Sequence, residues 1–379
     1  HSFADRFIPR QYLKKKDPKY PLILDICLEC KFIQSRYITD PRKRYSELDY
    51  SYTSSNSFYS KNHWIKFAEE LNSGFNVSKK KIFEIGSNDG FLIQKLKKMK
   101  ADVLGIDASN FMVKLSNKKV RTIKSIFSLK ESLNIKKKFG KANIIIANNV
   151  FNHSNNPKNF LKGVKNLMDK NSVFIFEQPY FASGLYACKF DQIYHEHVSY
   201  FTAQNIKSII DKTGFKIISM KLNDYHGGSL RTVVAKKKSI FPKKNNIKFI
   251  KTEKIKKIYN LKFYKKLFQK ININKIKLIN KIVKYKKNGY TISGIGAGAK
   301  SNTFLTYYGL NNKFIDFLTD TSIYKKNKFT PLTRIPIKDD NELKKFNKLI
   351  CIILSWNIGR IVINKIKKIN NKMVIIKTR

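Results

Sequence analysis

From about Lys81 onward, short apolar runs alternate with segments in which apolar residues recur at helical spacing. The apolar runs predict strands, and the intervening segments predict amphipathic helices. Strands are predicted at 82–85, 103–106, 144–147, 173–177, 216–222 and 230–235, and helices at 91–100, 159–168 and 203–213. This alternation is typical of a parallel sheet covered by helices on both faces, so the fold class is α/β and Rossmann-like.

The regions on either side of this domain have different patterns. The front of the chain reads as a small irregular module with one helix at 62–71. A Lys-rich stretch with Ile and Leu at helical spacing predicts a connecting helix or pair of helices, and a second, Rossmann-like α/β unit follows, with strands near 314–318 and 349–354. The predicted domains are 1–75, 76–240, 241–287 and 288–379.

The net charge of +51, from 77 Lys and Arg against 26 Asp and Glu, would ordinarily indicate a nucleic-acid or anionic-surface partner. The excess is mostly Lys dispersed among Asn and Ile, whereas a nucleic-acid reader concentrates charge and favours Arg. We therefore expect no nucleic-acid partner, and a phosphate-bearing small substrate is compatible with the charge. No apolar run approaches the roughly 18 residues of a membrane span, and no signal peptide is evident. A cytoplasmic monomer without a membrane partner is expected.

The four cysteines do not suggest a disulfide framework. Cys27 and Cys30 differ from the other two because their two-residue gap lets both thiolates reach one tetrahedral zinc ion. One such pair is half of a structural zinc site. Zinc is therefore an expectation that needs further ligands.

The segment 84–90 joins a predicted strand to a predicted helix through a glycine-rich turn. An acidic residue that closes a strand before such a turn is how a doubly wound sheet meets a nucleoside cofactor. Asp107, at the end of the next strand, can accept from both hydroxyls of a ribose. The loop lacks the G-x-G-x-x-G of dinucleotide sites, which favours S-adenosylmethionine, a cofactor without pyrophosphate. A glycine turn without any cofactor is the alternative. The predicted cofactor residues are Glu84, Gly86, Ser87, Asn88, Asp89, Gly90, Asp107, Asn148 and Asn149.

A second polar cluster, 194–197, contains two imidazoles, a carboxylate and a phenol. Three interpretations are open for it: a metal site through the two His of H-x-H, an active site in which one His accepts a proton, or a surface loop. His153 and His226 place further imidazoles after predicted strands. With six His in the chain, this grouping favours an active site.

The combined motifs resemble the sugar C-methyltransferases that act on nucleotide-linked keto-deoxysugars in bacteria. The resemblance spans nearly the whole chain and rests on EIGSNDGF (84–91), ANNVFNH (147–153), YHEHVSYF (194–201), HGGSLR (226–231) and GIGAGAKSNT (294–303). It also includes FTP (329–331) and IPI (335–337). It implies a zinc-containing N-terminal module, an S-adenosylmethionine-binding domain and a C-terminal Rossmann-like domain. Members carry two C-x-x-C knuckles, and this chain has one.

The same resemblance implies the active-site residues. His197 is the expected base, with Tyr194, Glu196, His153 and Tyr52 (or Tyr50) as other catalytic groups. The expected substrate-binding residues are His195, His226, Arg231, Gly296 and Lys300. A neutral imidazole would take the proton beside the ketone of a nucleotide-linked sugar, and the enolate carbon would then be methylated. The alternatives are O- or N-methyl transfer to a small molecule and, in a different class, a basic non-catalytic protein that binds nucleotides or RNA.

Overall fold

The computed structural model of the chain describes residues 1–45, 53–55, 57–242 and 247–378. It contains two compact units, each assembled from separate stretches of sequence. The central unit comprises Leu24–Ala182 and His197–Lys257. The terminal unit comprises His1–Ile23, Ser183–Glu196 and Ile258–Arg379. The linear domain boundaries proposed from the sequence stay a prediction.

The described residues contain strands and α-helices as follows. The strands are β1 (Ile8–Pro9), β2 (Leu24–Ile26), β3 (Ile33–Ser35), β4 (Lys81–Ile85), β5 (Asp102–Asp107), β6 (Thr122–Lys124), β7 (Ala142–Asn148), β8 (Met168–Pro179), β9 (Ser199–Tyr200), β10 (Phe215–Asn223), β11 (Ser229–Lys236), β12 (Thr291–Ile295), β13 (Phe317–Thr319), β14 (Lys328–Phe329), β15 (Ile337–Lys338), β16 (Leu349–Ile353) and β17 (Val374–Lys377). The α-helices are α1 (Pro41–Tyr45), α2 (Phe58–Phe75), α3 (Phe91–Lys98), α4 (Asn110–Asn117), α5 (Leu129–Phe139), α6 (Pro157–Leu167), α7 (Phe181–Tyr186), α8 (Ala203–Lys212), α9 (Ile247–Ile255), α10 (Leu261–Lys287), α11 (Ala299–Tyr308) and α12 (Gly359–Lys367).

The central unit is built around a seven-stranded sheet in the order β10-β11-β8-β7-β4-β5-β6. The strands from β8 to β6 in this order run parallel, whereas β11 is antiparallel to both of its neighbours. Strand β7 shows why the sheet forms here, because its Ile144–Ala147 segment is almost fully buried. An apolar run buried on both faces is what a parallel sheet between two helical layers requires.

A smaller antiparallel sheet, β2-β3-β9, also belongs to the central unit. Ile33 pairs with Tyr200, and Gln34 pairs with Ser199. The Ser35 N–H donates to the Val198 carbonyl oxygen at 2.8 Å. This sheet therefore fixes the backbone immediately after His197.

The terminal unit has a five-stranded parallel sheet in the order β15-β13-β12-β16-β17. Its strand β16 is buried throughout. Strands β1 and β14 form a separate antiparallel pair. The predicted second α/β unit is confirmed.

The predicted elements are confirmed with shifted ends. The strand predicted at 173–177 is the buried part of a longer strand, β8, and the strand predicted near 314–318 begins only at Phe317. The Lys-rich stretch forms two helices, α9 and α10, separated by turns. No described helix is long and apolar enough to cross a bilayer.

Candidate functional site

The predicted cofactor loop connects β4 to α3 in the central unit. Gly86 and Gly90 both have φ of +73°, a backbone conformation that glycine adopts readily. A Cβ atom at Gly86 would lie 2.8 Å from Val150 Cβ, and one at Gly90 would lie 2.3 Å from Ser116 Oγ. Backbone geometry and packing therefore both require glycine at these two positions.

Two carboxylates lie at the carboxyl ends of adjacent strands beside this loop. Burial raises the pKa of Glu84 well above its usual range, and Asp89 and Asp107 raise it further. Glu84 Oε2 is buried and has no hydrogen-bond partner among the described residues. Asp107 accepts hydrogen bonds from the Asn88 N–H at 2.8 Å and the Ser109 N–H at 2.9 Å. Burial is also the main reason that the pKa of Asp107 is raised.

The hydrogen bonds of Asp89 differ from the predicted contact with the cofactor. One of its oxygens accepts from Ser54 Oγ and from the Phe91 N–H (3.4 Å), and the other accepts from the Ser55 N–H (3.2 Å) and Ser55 Oγ. Asn88 Oδ1 accepts from the Ser54 N–H at 2.8 Å. Since a carboxylate oxygen has about two lone-pair sites, these bonds saturate Asp89. We therefore correct its role from a cofactor contact to an anchor that holds the serines against the loop.

Asn148 and Asn149 close β7, which pairs with β4 in the sheet. Asn149 has φ of +52°, and its N–H donates to the Glu177 carbonyl oxygen at 2.7 Å. Asn149 Oδ1 is buried without a hydrogen-bond partner among the described residues. The amide pair thus lies at the carboxyl edge of the sheet, where doubly wound sheets bind ligands.

Two of the predicted catalytic imidazoles meet in the central unit. The ring centroids of His153 and His197 are 5.1 Å apart. The Val198 N–H donates to the Asn152 carbonyl oxygen at 2.9 Å, and Ser35 Oγ donates to the His197 carbonyl oxygen at 3.1 Å. His153 belongs to a short 3-10 turn, Phe151–His153, that follows β7. Both imidazoles are therefore held at the edge that carries Asn148.

The pKa of His153 is lowered from 6.5 to about 3, mainly by burial and also by the nearby Arg44 guanidinium. Between these two pH values the unfolded chain binds a proton that the folded chain does not, so folding is destabilised as the pH falls below about 6.5. The penalty reaches its full size below about pH 3 and is absent above neutrality. His153→Asn should therefore flatten the fall in the free energy of unfolding between pH 6.5 and 4, measured by urea titration. An equally steep fall in the variant would contradict this assignment.

The other members of the 194–197 motif belong to the terminal unit. Tyr194 is half-buried. His195 is buried beside Phe3 and Tyr20, and its Nε2 lies 2.9 Å from the Pro21 carbonyl oxygen. These contacts hold His195 within the terminal unit, and its predicted contact with the substrate stays a prediction.

Glu196 is also buried in the terminal unit, where its Oε1 accepts from the backbone N–H groups of Ala4 (3.0 Å) and Asp5 (3.3 Å). It thus anchors the start of the chain. Tyr52 and Tyr50 lie outside the described residues.

The glycine-rich turn of the terminal unit differs from its predicted use as a diphosphate cradle. A Cβ atom at Gly296 would lie 1.7 Å from Ser355 Oγ, so this residue must be glycine for packing. The Gly296 N–H donates to the Thr319 carbonyl oxygen (2.8 Å), and the Ala297 N–H donates to Asp320 Oδ2 (2.8 Å). Because these amides already have partners within the unit, the prediction that Gly296 binds substrate is corrected.

Lys300 lies beside that turn in α11. Its ammonium nitrogen is 5.0 Å from the centre of the Trp356 ring, and the ammonium of Lys189 is 4.5 Å from the same centre. Burial lowers the pKa of Lys300 to about 8, although Asp191 opposes this effect. Trp356 Nε1 donates to Asp191 Oδ2 at 2.5 Å. Two ammonium groups, those of Lys300 and Lys189, therefore lie against one indole ring. The predicted contact of Lys300 with the substrate stays a prediction.

Arg231 is corrected from a substrate contact to a buried structural ion pair. Its guanidinium pairs with Glu177 at 2.7 Å and with Glu70 at 2.6 Å, and it stacks on the Phe67 ring at 3.7 Å. These partners hold it within the central unit. His226 has φ of +55° and lies 4.2 Å, centre to centre, from Tyr225. Its predicted contact with substrate stays a prediction.

Comparison with known proteins gives matches along most of the chain. Residues 58–220 match the family described as "Methyltransferase domain", and residues 224–376 match "C-methyltransferase C-terminal domain". The C-methyltransferase NovU of Streptomyces niveus is 24% identical over 355 residues, which are 92% of this chain and 83% of that protein. The two family matches and the similarity to NovU together support a C-methyltransferase family for the chain. It is an S-adenosylmethionine-dependent enzyme, as its motifs predicted.

Solved structures similar to the chain include two further methyltransferases. One is the magnesium protoporphyrin IX methyltransferase ChlM from Synechocystis PCC 6803 with bound SAH, at 15% identity and a TM-score of 0.38, covering 48% of this chain and 88% of that one. The other is a SAM-dependent methyltransferase from Archaeoglobus fulgidus, at 14% identity and a TM-score of 0.38, covering 48% and 100%. The central unit has the Rossmann-like fold of class I methyltransferases.

The central unit has groups that fit S-adenosylmethionine. When bound, this cofactor supplies an electrophilic methyl group on a positively charged sulfur. Glu84 offers an unpartnered buried carboxylate oxygen, whose desolvation cost a cationic ligand would offset. Asp107, Ser87 and Asn149 present further acceptors or donors at the same edge. These residues, with the two loop glycines, are the ones we expect to hold the cofactor.

The Cys27/Cys30 pair forms a turn between β2 and β3. The Cys30 N–H donates to Cys27 Sγ at 3.5 Å, and amide donors lower the pKa of the Cys27 thiol. In the part of the chain that the structure describes, no group of three His, Cys, Asp or Glu side chains could hold a metal ion. The expected zinc site is therefore not supported.

With two thiolates and no further ligand among residues 1–45, 53–55, 57–242 and 247–378, the purified chain should retain well below one zinc per molecule after dialysis. Elemental analysis by mass spectrometry measures this. Cys27→Ser should also leave the melting temperature nearly unchanged, because the thiol is exposed. One tightly held zinc per chain, lost in Cys27→Ser, would show that other residues complete the site.

Sequence reasoning missed a buried network below Asn149. Glu177, at the end of β8, is fully buried and pairs with His63 at 2.7 Å as well as with Arg231. These hydrogen bonds and charges lower the pKa of Glu177 against the effect of its burial. The signal available in the sequence was one carboxylate at the end of an otherwise apolar strand. Its partners His63 and Arg231 lie far from Glu177 in sequence, so the sequence alone does not indicate that they contact it.

Proposed function

We propose that this enzyme methylates the carbon next to the ketone of a nucleotide-linked keto-deoxysugar, with His197 as the base. The observation that carries the proposal is the pair of adjacent imidazoles, His153 and His197, at the sheet edge that carries the cofactor loop. A ketone makes the neighbouring C–H acidic, and a positioned imidazole suits the removal of that proton near neutral pH.

In this proposal His197 accepts the proton, and the electrons of the broken C–H bond form the enolate. The enolate carbon is then the nucleophile. His197 is buried and His153 is partly buried, which limits the access of water that would otherwise protonate the enolate. Because burial and the Arg44 guanidinium keep His153 neutral, His197 is the imidazole of this pair that changes charge in the proposed step.

The nucleotide part of the substrate is supported by charge and by the motif resemblance. Lys300 and Lys189 flank one indole in the terminal unit, and two ammonium groups suit a diphosphate. The roles of Tyr194, Glu196 and Tyr52 stay predictions. A cytoplasmic, monomeric enzyme remains our expectation.

The test uses a panel of nucleotide-linked ketosugars with S-adenosylmethionine carrying an isotope-labelled methyl group, followed by mass spectrometry. The expected result is one labelled methyl group on at least one ketosugar. The matched control is the same nucleotide-sugar with its ketone reduced to an alcohol, which should remain unmethylated. Labelling of the alcohol as efficiently as the ketone would favour O-methyl transfer instead.

A further inference from the structure

The segment that ends in α1 contacts the turn that carries His153. Arg44 is buried, and its guanidinium donates to the His153 carbonyl oxygen at 3.3 Å and to Asn155 Oδ1. Asn155 Nδ2 donates in turn to the Thr39 carbonyl oxygen at 3.0 Å. These bonds fix the α1 segment against the turn, so the side chain that follows Arg44 is presented to the imidazole.

That side chain is Tyr45. Its Oη lies 2.6 Å from His153 Nδ1, and the two rings stack with centroids 5.8 Å apart and planes 18° apart. The Arg44 guanidinium lies 5.4 Å from the centre of the Tyr45 ring. A phenol held this closely to one ring nitrogen controls which nitrogen of a neutral imidazole carries the proton.

We propose that Tyr45 is a positioning residue for methyl transfer, which donates its hydroxyl proton to His153 Nδ1 and so keeps the imidazole in the tautomer protonated at Nε2. The phenol O–H is more acidic than a neutral imidazole N–H, and the unprotonated ring nitrogen is a better acceptor than the phenol oxygen. Burial, and to a smaller extent the Arg44 guanidinium, lower the pKa of His153, so the imidazole stays uncharged.

The consequence is an uncharged donor beside the proposed base. No hydrogen bond to His153 Nε2 is formed by residues within the described ranges, and the His197 ring is its neighbour. This step rests on the proposed function. In it, the Nε2–H group of His153 donates a hydrogen bond to the ketone oxygen while His197 takes the proton from the adjacent carbon. The C–H electron pair forms the enolate double bond, and the carbonyl π electrons move to the oxygen, which Nε2–H stabilises. A protonated His153 would instead repel the proton arriving on His197.

The first test reads the tautomer directly and needs no activity. Nitrogen NMR of protein labelled in its histidines, with His153 assigned through His153→Asn, should show Nε2 protonated and Nδ1 unprotonated in the wild type. Tyr45→Phe should shift the signal to a mixture of tautomers. A wild type protonated at Nδ1, or an unchanged signal in Tyr45→Phe, would overturn the proposal even if methyl transfer is confirmed.

The second test measures kinetics. Tyr45→Phe should lower kcat by about five- to tenfold, the worth of one hydrogen bond, with the affinity for S-adenosylmethionine unchanged. Tyr37→Phe, the same chemical change at an exposed site in the same region, is the control and should leave kcat unchanged. An unaltered kcat in Tyr45→Phe would refute the positioning role. Absence of turnover in the wild type with every ketosugar would count against the proposed function, while the NMR result would still decide the tautomer.

Discussion

Replacing His197 with Asn should lower kcat by roughly a hundredfold to ten-thousandfold, the usual worth of a positioned base. Binding of S-adenosylmethionine should be nearly intact, because we expect the 84–90 loop and Asp107 to hold the cofactor through their own backbone and carboxylate groups. Rapid-mixing kinetics measure the chemical step, and calorimetry measures the affinity. Hydrogen–deuterium exchange of the substrate gives an independent measurement. In deuterated solvent the wild type should incorporate deuterium at the carbon beside the ketone, and the variant should not.

The matched control is Ser35→Ala. Ser35 Oγ donates to the His197 carbonyl oxygen, so its removal disturbs the backbone at His197 while the imidazole remains. This control should lose far less activity than His197→Asn. A His197 variant that keeps wild-type turnover, or that loses cofactor binding together with activity, would contradict the assignment of the base and make His153 or His195 the candidate.

Asp107→Ala should weaken the binding of S-adenosylmethionine by about 1.5 to 3 kcal/mol, which is the range for a hydrogen bond to a charged acceptor. The affinity then falls by roughly ten- to 150-fold. Part of this loss arises because Asp107 also accepts from the Asn88 N–H and so orders the loop. Calorimetric titration measures the change.

Asp102 provides the comparison, since it begins the same strand that Asp107 ends and its side chain is 68% exposed. Asp102→Ala should leave the affinity for the cofactor unchanged. If Asp107→Ala binds as tightly as the wild type, Asp107 does not contact the cofactor.

The sequence could predict the central sheet because its signal is local. A few neighbouring apolar residues, such as Ile144–Ala147, are enough to predict a strand. The glycines of the 84–90 loop likewise predict a turn without reference to distant residues. The expected roles of His153 and His197 came instead from the resemblance of their motifs to the sugar C-methyltransferases, and the structure places the two rings 5.1 Å apart.

What could not be predicted depends on residues far apart in sequence. The sequence predicts that Asp89 contacts the cofactor, but in the structure its two carboxylate oxygens accept hydrogen bonds from Ser54 and Ser55. The sequence predicts that Arg231 contacts the substrate, but in the structure its guanidinium forms ion pairs with Glu177 and Glu70. In both cases a polar residue of suitable type was already occupied by partners that only the fold brings together.

The division of the 194–197 motif is a second limit. Four consecutive residues read as one cluster in sequence, yet His195 and Glu196 have buried partners in the terminal unit, and His197 pairs with His153 in the central unit. Proximity along a chain does not ensure a shared environment when the chain passes from one compact unit to another.

The most direct test of the central claim is the position of the transferred methyl group. Carbon NMR of the product formed from S-adenosylmethionine with a carbon-13 methyl group shows which atom the methyl group joins. The account predicts a methyl carbon bonded to a ring carbon of the sugar, next to the carbon that bore the ketone. A labelled methyl group bonded to oxygen or nitrogen would contradict it.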